Sequence, residues 1–431
     1  MLLEFSLENY RSYKSKQTIS FEPTSDTTLD DYFCFKINPK TRILKLGIIY
    51  GPNASGKTNL LHGLEFLRKI ALKPRKSEDS TGFIPFLFDK GSASKPGKFN
   101  IMFYYENIKY NYYICLDQSR IYEEQLLYYP KGQPVEIFSR TRDAFKFGSH
   151  PDVRISQKYR NALETNTVHS MSMLSALQIT NVEFPVMENA FKWFNEKVMP
   201  IIFPTTKLIN WTIDRIDDSI ECKNLLIELM KKADFHINDI EIYKEDIPID
   251  NKFMRVLNEN EKIPKQVKEE IINKGMINKI DLSLSHNVIN RNVDEMFPLP
   301  FELESSGTKR FFGLGGPLNA IINNSKILLI DELEASLHPE LINFFINTFL
   351  ANSGSSQLLF TTHNLDIMSD PDEIRRDVIW FTEMIENGST ELFSLSDFKS
   401  SDIRKGMDYL KAYKAGKFGA LPKLDNVYLR K

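Results

Sequence analysis

One stretch decides the fold: Gly51-Pro52-Asn53-Ala54-Ser55-Gly56-Lys57-Thr58, which reads G-x-x-x-x-G-K-T. An apolar run at 46–50 leads into it, and apolar residues at helical spacing follow it. Strand, glycine-rich turn and helix in this order form the context of a phosphate-binding loop. The two glycines let successive backbone N–H groups turn inward toward a phosphate chain. The sequence therefore predicts a site for a nucleoside triphosphate.

The loop and the start of the following helix supply the predicted nucleotide contacts. These contacts are Asn53, Ala54, Ser55, Gly56, Lys57, Thr58 and Asn59. We expect Lys57 to reach the β- and γ-phosphates and to take part in catalysis, and the Thr58 hydroxyl to take a Mg²⁺ coordination site. The predicted helix, 57–73, ends before Pro74 and points its positive N-terminal end at the nucleotide.

Length and composition bound the class of protein. The 431 residues leave room for two or three domains, and the net charge of −2 provides no overall basic field for nucleic acid. Three distant cysteines without a C-x-x-C pair predict free thiols in a reducing compartment. The amino-terminal alternation predicts a strand and not a signal peptide, and no apolar run approaches the roughly 20 residues of a membrane span. We expect a cytoplasmic protein without a membrane partner.

Strand patterns surround the phosphate loop. Residues 1–25 alternate like a half-buried strand pair, and 26–42 are predicted as a polar connection. Apolar residues alternate on both sides of Glu106-Asn107, which predicts an antiparallel hairpin, and another strand is expected near 124–129. Antiparallel strands soon after a phosphate loop favour an α/β fold of the ABC-type ATPase head, a parallel sheet plus an antiparallel β subdomain, over a simple doubly wound sheet.

The middle of the chain, 151–295, is predicted to be a mostly helical insertion between an N-terminal half, 1–150, and a C-terminal half, 296–431. Helical spacing is found at Ala190–Val198, Cys222–Ala233 and Lys265–Lys274. The stretch 138–160 is rich in arginine and lysine, including Arg140. A solvated face explains such a run, with a nucleic-acid or partner patch as the alternative.

A second motif begins at Lys326, where four apolar residues lead to Asp331-Glu332. Such a run is typical of a strand buried in a parallel sheet, and its carboxyl end is where ligands bind. We expect Asp331 to hold Mg²⁺ through water and Glu332 to polarise the attacking water.

Two histidines follow the acids. His363 ends the apolar strand that begins at Gln357, one strand–helix unit later, and is a candidate contact to the γ-phosphate. His338 precedes a helix predicted over 340–350 and is a weaker candidate, because it could serve only to shape the turn.

Taken together, these residues resemble the ABC-ATPase superfamily of SMC, Rad50, RecF and OLD-like proteins. The opening Phe5–Ser12 is similar to the "NFRSF" start of that group, and Leu303–Arg310 resembles a divergent signature motif, with Ser306-Gly307 matching its S-G core. The stretch Ala412–Pro422 resembles the "YxxGrYGaiP" ending of the AAA15-type ATPases of RloA/AbiL-like bacterial defence loci, which are close to those of the PARIS and Septu systems.

The resemblance implies a function for residues outside the two motifs. In that family two heads hold two ATP molecules between them, so Ser306 and Gly307 of one subunit are expected to contact the γ-phosphate on the other, with Arg11 near the base or ribose. The signature lacks the second glycine and the glutamine of the family, and no residue stands out as the Q-loop glutamine.

The sequence is compatible with more than one function. The first is an ATPase that forms a homodimer or higher homo-oligomer on ATP and regulates a separate effector, expected to be a nuclease, in antiphage defence. A RecF- or Rad50-like DNA-repair ATPase, with DNA as partner, is the alternative, although no heptads predict a long coiled-coil arm. An OLD-like nuclease would need a further domain of about 100 residues, and fewer than 70 follow His363. A GTPase is suggested only by Asn278–Asp281, and a transporter subunit is disfavoured by the divergent signature.

Overall fold

The computed structural model describes residues 1–260, 265–290, 293–399, 403 and 406–422. The chain separates into two compact units, one formed by 1–206 with 320–431 and the other by 207–319. We call them the larger unit and the smaller unit.

The strands of the described chain are β1 (Leu2–Glu8), β2 (Gln17–Ser20), β3 (Cys34–Asn38), β4 (Thr41–Leu44), β5 (Leu46–Tyr50), β6 (Gly97–Tyr105), β7 (Ile108–Leu116), β8 (Ile121–Tyr129), β9 (Val135–Thr141), β10 (Ala144–Phe147), β11 (Ile237–Pro248), β12 (Met276–Asn290), β13 (Val293–Pro300), β14 (Ile327–Ile330), β15 (Gln357–Thr361), β16 (Ile379–Met384) and β17 (Thr390–Ser394).

The α-helices of the described chain are α1 (Asp30–Phe33), α2 (Lys57–Leu72), α3 (Lys90–Ala93), α4 (Gln157–Asn166), α5 (Met173–Ala176), α6 (Pro185–Lys192), α7 (Ile209–Asp218), α8 (Ile220–Lys232), α9 (Asn251–Glu259), α10 (Lys265–Lys274), α11 (Ser306–Asn323), α12 (Pro339–Asn352) and α13 (Tyr409–Lys414). A π-helix, Trp193–Lys197, continues α6.

A five-stranded sheet of the larger unit carries the phosphate loop. Its order is β14-β15-β5-β16-β17, and only β17 runs antiparallel to its neighbour. All residues of β5 and β14 are buried. Continuous apolar strands of this kind belong to a parallel sheet covered on both faces. The helix expected after the loop is present as α2, which ends at Leu72 and buries Leu60, Leu64, Leu67 and Ala71.

A seven-stranded antiparallel sheet of order β10-β9-β8-β7-β6-β1-β2 lies in the same unit. The predicted strand pair within 1–25 and the predicted hairpin, β6–β7, are confirmed. The sheet buries aromatic side chains; Phe103 of β6 stacks on Trp193 with ring centroids 4.0 Å apart. A P-loop sheet beside this antiparallel sheet is the α/β fold class predicted for an ABC-type ATPase head.

The burial of Arg140 contradicts the prediction of a solvated basic face at 138–160. Its side chain is fully buried on β9, 3.8 Å from the equally buried Glu124 of β8. The guanidinium also donates to the carbonyl of Met171 at 2.7 Å. An arginine within a charge run can thus be buried when carbonyls and a carboxylate replace its water. The predicted polar connection 26–42 also differs, since it contains α1, β3 and the first part of β4.

The smaller unit contains a sheet as well as helices. Helices α7 to α10 accompany the antiparallel sheet β11-β12-β13, and α11 begins within the unit. The helical predictions at 190–198, 222–233 and 265–274 match α6 with its π-helix, α8 and α10, whereas the strands were not predicted. Residues 151–206 of the predicted insertion lie in the larger unit. A Cβ at Gly315 of α11 would lie 2.1 Å from Leu226, so glycine permits the close packing on α8.

Two general features follow from the described residues. Cys34, Cys115 and Cys222 are buried free thiols, as expected from their spacing. Within the described chain, no helix is both long and apolar enough to cross a bilayer.

Candidate functional site

Three neighbouring strands of the parallel sheet end at one edge and bring the main predicted residues together. Strand β5 leads into Gly51, β14 into Asp331, and β15 into His363, with β15 lying between the other two. The carboxyl ends of parallel strands form the usual ligand edge of an α/β sheet. The two sequence motifs, about 270 residues apart, therefore meet as predicted.

The backbone of the phosphate loop is fixed by hydroxyl groups of β16 and β17, the strands that follow β5 in the order of the sheet. Gly56 has a φ of +103°, and a Cβ there would lie 2.2 Å from Thr390 Oγ1. The same hydroxyl donates to the carbonyl of Ser55 at 2.8 Å, and the Ser55 hydroxyl bonds with that of Thr382 at 2.6 Å. Glycine is thus required at 56, and the loop is held in shape from outside. Asn53 and Ala54 at its tip are exposed.

Lys57 is buried and turned back onto its own loop. Its ammonium donates to the carbonyls of Gly51 at 2.8 Å and Pro52 at 3.1 Å. Burial lowers the pKa of Lys57, and the carboxylates of Glu334, Glu332 and Asp331 oppose that effect. An ammonium bonded only to carbonyl dipoles next to a cradle of N–H groups fits a phosphate group, which supplies the missing negative charge.

The Thr58 hydroxyl and Asp331, the two residues predicted to bind a cation, are hydrogen-bonded to each other. Thr58 Oγ1 donates to the two carboxylate oxygens at 2.9 and 3.1 Å, and Thr361 Oγ1 donates to Oδ1 at 2.8 Å. No cluster of three or more His, Cys, Asp or Glu residues suited to a metal exists among the described residues. One carboxylate and one hydroxyl beside a phosphate site are a donor set that fits Mg²⁺, which keeps several waters and takes phosphate oxygens.

Glu332 lies next to this pair but faces solvent. Its side chain is exposed, and its φ of +50° turns the chain sharply after β14. The Glu332 N–H donates to Thr361 Oγ1 at 2.8 Å, which holds the turn in place. An exposed carboxylate at this edge is open to the water that it is predicted to polarise.

His363 lies at the end of β15 with an exposed side chain. Partial desolvation, followed by the charge of Lys57, lowers the pKa of His363 from its ordinary value. The imidazole is therefore neutral at pH 7 and offers one donor and one acceptor nitrogen. Its backbone N–H donates to Glu334 Oε1 at 2.6 Å.

Arg11 reaches the start of α2. Its guanidinium donates to Asn59 Oδ1 at 3.4 Å, and the Asn59 amide donates to Ser12 Oγ at 2.9 Å. Arg11 adopts a φ of +51°, and its N–H donates to the carbonyl of Ile84 at 2.9 Å. The opening motif and the phosphate loop thus form one hydrogen-bonded group.

The signature residues belong to the smaller unit. Ser306 begins α11 and is exposed, and Gly307 is half-buried. Ser305 caps the helix, since its hydroxyl accepts the N–H of Thr308 at 3.0 Å. The structure therefore does not unite Ser306 and Gly307 with the other predicted residues inside one unit. The weaker candidate His338 caps α12, its Nδ1 accepting the Glu340 N–H at 3.3 Å.

Sequence reasoning missed the residues that hold the site together. Thr361, Thr382 and Thr390 anchor the acids and the loop through their hydroxyls, and Glu334 anchors His363. A signal existed for Thr361, because a hydroxyl at the end of the strand beside Asp331 faces the ligand edge. Thr382 and Thr390 lie far along the chain and became neighbours of the loop only through the sheet order.

A cavity of about 680 Å³ adjoins the loop and His363. Tyr50, Gly51, Asn53 and His363 line it together with Tyr413, Leu421 and Pro422, which belong to Ala412–Pro422, here called the closing motif. The closing motif is held by stacking of Tyr413 on Phe381, with centroids 5.4 Å apart, and by a bond from the Tyr413 hydroxyl to the carbonyl of Ala420. The motif singled out near the end of the chain therefore borders the phosphate loop.

A known protein family matches most of this chain. The family described as "AAA domain, putative AbiEii toxin, Type IV TA system" matches residues 47–161 and 189–369, more than half of the chain. These ranges include the phosphate loop, the signature stretch, both acids and His363. No curated protein matches the sequence.

Three of the solved structures that match are heads of SMC proteins. The SMC head domain from Thermotoga maritima is 13% identical with a TM-score of 0.41, over 91% of this chain and 98% of that chain. An SmcHead bound to the C-winged helix domain of ScpA is 14% identical with a TM-score of 0.43, over 91% and 97%. An Smc head domain with an extended coiled coil, bound to the C-terminal domain of ScpA derived from Pyrococcus furiosus, is 12% identical with a TM-score of 0.35, over 96% and 98%.

Proposed function

This chain belongs to that AAA-domain family, and from this membership and the geometry of the site we propose that it is a Mg²⁺-dependent ATPase. The observation that carries the proposal is the bond between Thr58 Oγ1 and Asp331 at 2.9 Å. It joins the phosphate loop to the acid strand at the ligand edge of a parallel sheet. A threonine after the loop lysine and an aspartate at the end of a neighbouring strand are the protein ligands of Mg²⁺ in P-loop NTPases.

We assign each residue of the site a role in binding or hydrolysing ATP. The N–H groups of 53–58 bind the phosphates, Lys57 leaves its loop carbonyls to hold the β- and γ-phosphates, and Thr58 and Asp331 hold Mg²⁺. The bound ion neutralises charge on the phosphates. Glu332 accepts a proton from the attacking water, and His363 donates a hydrogen bond to the terminal phosphate. Catalysis of this type is positioning with charge stabilisation.

ATP also has a proposed role in assembly. We assign Ser306 and Gly307 to the γ-phosphate bound by a second copy of the chain, giving a homodimer with two ATP molecules between its heads. The exposure of Ser306 at the start of an 18-residue helix supports this, because a helix N-terminus attracts anions. Arg11, which contacts the start of α2, is assigned to the base or ribose.

The biological role that we propose is regulation of an effector protein, a nuclease, in bacterial antiphage defence by an ATPase of the AAA15, RloA/AbiL-like type. The family description, which names a toxin of a type IV toxin–antitoxin system, fits a protein of a defence or growth-control locus. We place the protein in the cytoplasm. In this role the ATP-bound dimer is the state that the effector reads.

The enzymatic part is tested by ATP turnover of Glu332→Gln. The variant keeps the size of the side chain and removes the base, so hydrolysis should fall by about 100-fold or more while Mg-ATP still binds. Glu386→Gln, which changes an exposed glutamate in the turn after β16, is the matched control and should keep the wild-type rate. Full hydrolysis by Glu332→Gln would refute its assignment.

The partner is tested by native mass spectrometry of tagged Glu332→Gln protein purified from its own host in Mg-ATP. A second protein at fixed stoichiometry supports the regulator and identifies the effector. A homo-oligomer that carries DNA and no second protein would contradict the regulator and favour a repair-type ATPase.

A further inference from the structure

Glu334 lies in the turn that follows Asp331, and neither sequence motif assigns it a task. We call residues 331–337 the acid turn and residues 362–364 the histidine loop. Glu334 Oε1 accepts the backbone N–H of His363 at 2.6 Å. This bond connects the acid turn, which follows β14, to the histidine loop, which follows β15.

The backbone of the acid turn directs the Glu334 side chain. Leu333 donates its N–H to the carbonyl of Thr361 at 3.1 Å, and the carbonyl of Glu334 accepts the N–H of Leu337 at 2.8 Å. These bonds fix the backbone on both sides of Glu334, and the bond to the His363 N–H orients its carboxylate. Charge-assisted bonds of a carboxylate to a backbone N–H are stronger than neutral ones.

The second oxygen of this carboxylate is not satisfied. Glu334 Oε2 is buried and has no hydrogen-bond partner among the residues described, and the same is true of the Tyr50 hydroxyl. Burial, followed by the charge of Glu334, raises the pKa of Tyr50 well above its ordinary value. A buried polar atom without a partner is costly, and such atoms mark positions of strain or function.

The charge of Glu334 also acts on the two predicted phosphate contacts. Among the carboxylates that oppose the lowered pKa of Lys57 and of His363, Glu334 is the strongest in both cases. The Glu334 carboxylate therefore bonds to the histidine loop and also interacts electrostatically with Lys57.

We propose that Glu334 is a positioning residue that fixes the histidine loop to the acid turn, so that the His363 side chain faces the terminal phosphate of a nucleotide on the loop. The proposal rests on the function proposed above. Glu334 acts through His363 and touches neither the phosphates nor the water. A residue needed only for folding would not couple to His363 in kinetics.

The kinetic test compares Glu334→Ala, Glu334→Gln, His363→Ala and the Glu334→Ala/His363→Ala double variant. Glu334→Ala should lower kcat about 10-fold to 100-fold with KM within threefold. Glu334→Gln should stay within threefold of wild type, because its amide oxygen still accepts the N–H. The double variant should be no slower than His363→Ala alone, as expected for residues that act as a unit.

A second measurement does not require turnover. Without nucleotide, hydrogen exchange of a peptide covering 361–366 should be about 10-fold faster in Glu334→Ala than in wild type, with Glu334→Gln remaining protected. Glu386→Ala is the matched control and should exchange like wild type. If no variant, wild type included, hydrolyses ATP, the proposed function fails, and the exchange result still decides whether Glu334 fixes the loop.

Three results would overturn the positioning role. These are unchanged exchange in Glu334→Ala, a double variant whose losses in kcat add, and a Glu334→Gln variant as slow as Glu334→Ala.

Discussion

Two carboxylates of the larger unit, the fully buried Glu124 and the half-buried Glu334, have opposite surroundings. In the antiparallel sheet, Glu124 accepts the Tyr112 hydroxyl at 2.9 Å and the Met173 N–H at 3.0 Å, and it lies 3.8 Å from Arg140. At the edge of the parallel sheet, Glu334 uses one oxygen for His363, and the other has no hydrogen-bond partner in the described part of the chain.

The positively charged side chains near these two carboxylates, Arg140 and Lys57, differ in the same way. Arg140 is paired with Glu124 and bonded to several carbonyls, whereas the hydrogen bonds of Lys57 to other described residues all go to carbonyls of its own loop. A fully satisfied buried pair belongs to the framework of the fold, because nothing remains for a ligand to complete. The edge of the parallel sheet retains unsatisfied charge, which a bound phosphate with its cation would complete. The comparison therefore separates a structural charge site from a ligand site.

The largest effect should follow from breaking the structural pair. Arg140→Ala leaves Glu124 as an unpaired buried charge, so the free energy of unfolding should fall by about 3–5 kcal/mol, measured by urea denaturation. Lys146→Ala, an exposed change on the next strand, should cost less than about 1 kcal/mol. A loss below 1 kcal/mol in Arg140→Ala would show that the pair is not a framework element.

The next effect concerns the ligand site. Lys57→Ala removes the ammonium that we assign to the phosphates, and the Kd for Mg-ATP should rise about 100-fold by calorimetry. Its stability should change less than that of Arg140→Ala, because the lysine has no acidic partner in direct contact. Lys69→Ala, on the exposed side of the same helix, should bind as wild type does. Unchanged affinity in Lys57→Ala would remove the contrast between the two sites.

A smaller effect should come from Thr361. Thr361→Val removes the hydroxyl that orients Asp331 and the Glu332 backbone while preserving side-chain shape. The Mg²⁺ concentration for half-maximal turnover should rise about 10-fold, as for other residues that orient a metal ligand. Thr348→Val on α12 is the control. An unchanged Mg²⁺ requirement would mean that Asp331 needs no orientation by its neighbour.

The smallest effect should be on the pH profile. The pKa of His363 lies below its ordinary value of 6.5. The imidazole therefore stays neutral to a lower pH than an ordinary histidine, and it is protonated as the pH falls through the lowered pKa. Turnover should therefore decline as the pH falls below 6.5 through the lowered pKa in wild type, and it should decline less in His363→Gln. Identical profiles for the two proteins would contradict a role for the neutral imidazole.

The sequence predicted the ligand edge well because its signals are local. A glycine-rich loop after an apolar strand, and acids after another, each determine a short segment whose place in a parallel sheet is nearly fixed. The burial of Arg140 was not predictable in this way, because two of its carbonyl partners, those of Val168 and Met171, follow 28 and 31 residues later.

The middle of the chain was predicted less well. The strands β11 and β12 pair over residues with many exposed positions, so they show little apolar alternation and were missed. Glu334 and Thr390 became recognisable only from contacts between segments far apart in sequence. Such contacts depend on sheet order, which one sequence does not reveal.

The most direct measurement is a crystal structure of Glu332→Gln protein grown with Mg-ATP. We expect a triphosphate along residues 51–58, the Lys57 ammonium released from the carbonyls of Gly51 and Pro52, and Mg²⁺ at Thr58 and Asp331. A structure at saturating Mg-ATP in which Lys57 keeps its carbonyl bonds and the loop holds no nucleotide would contradict this expectation.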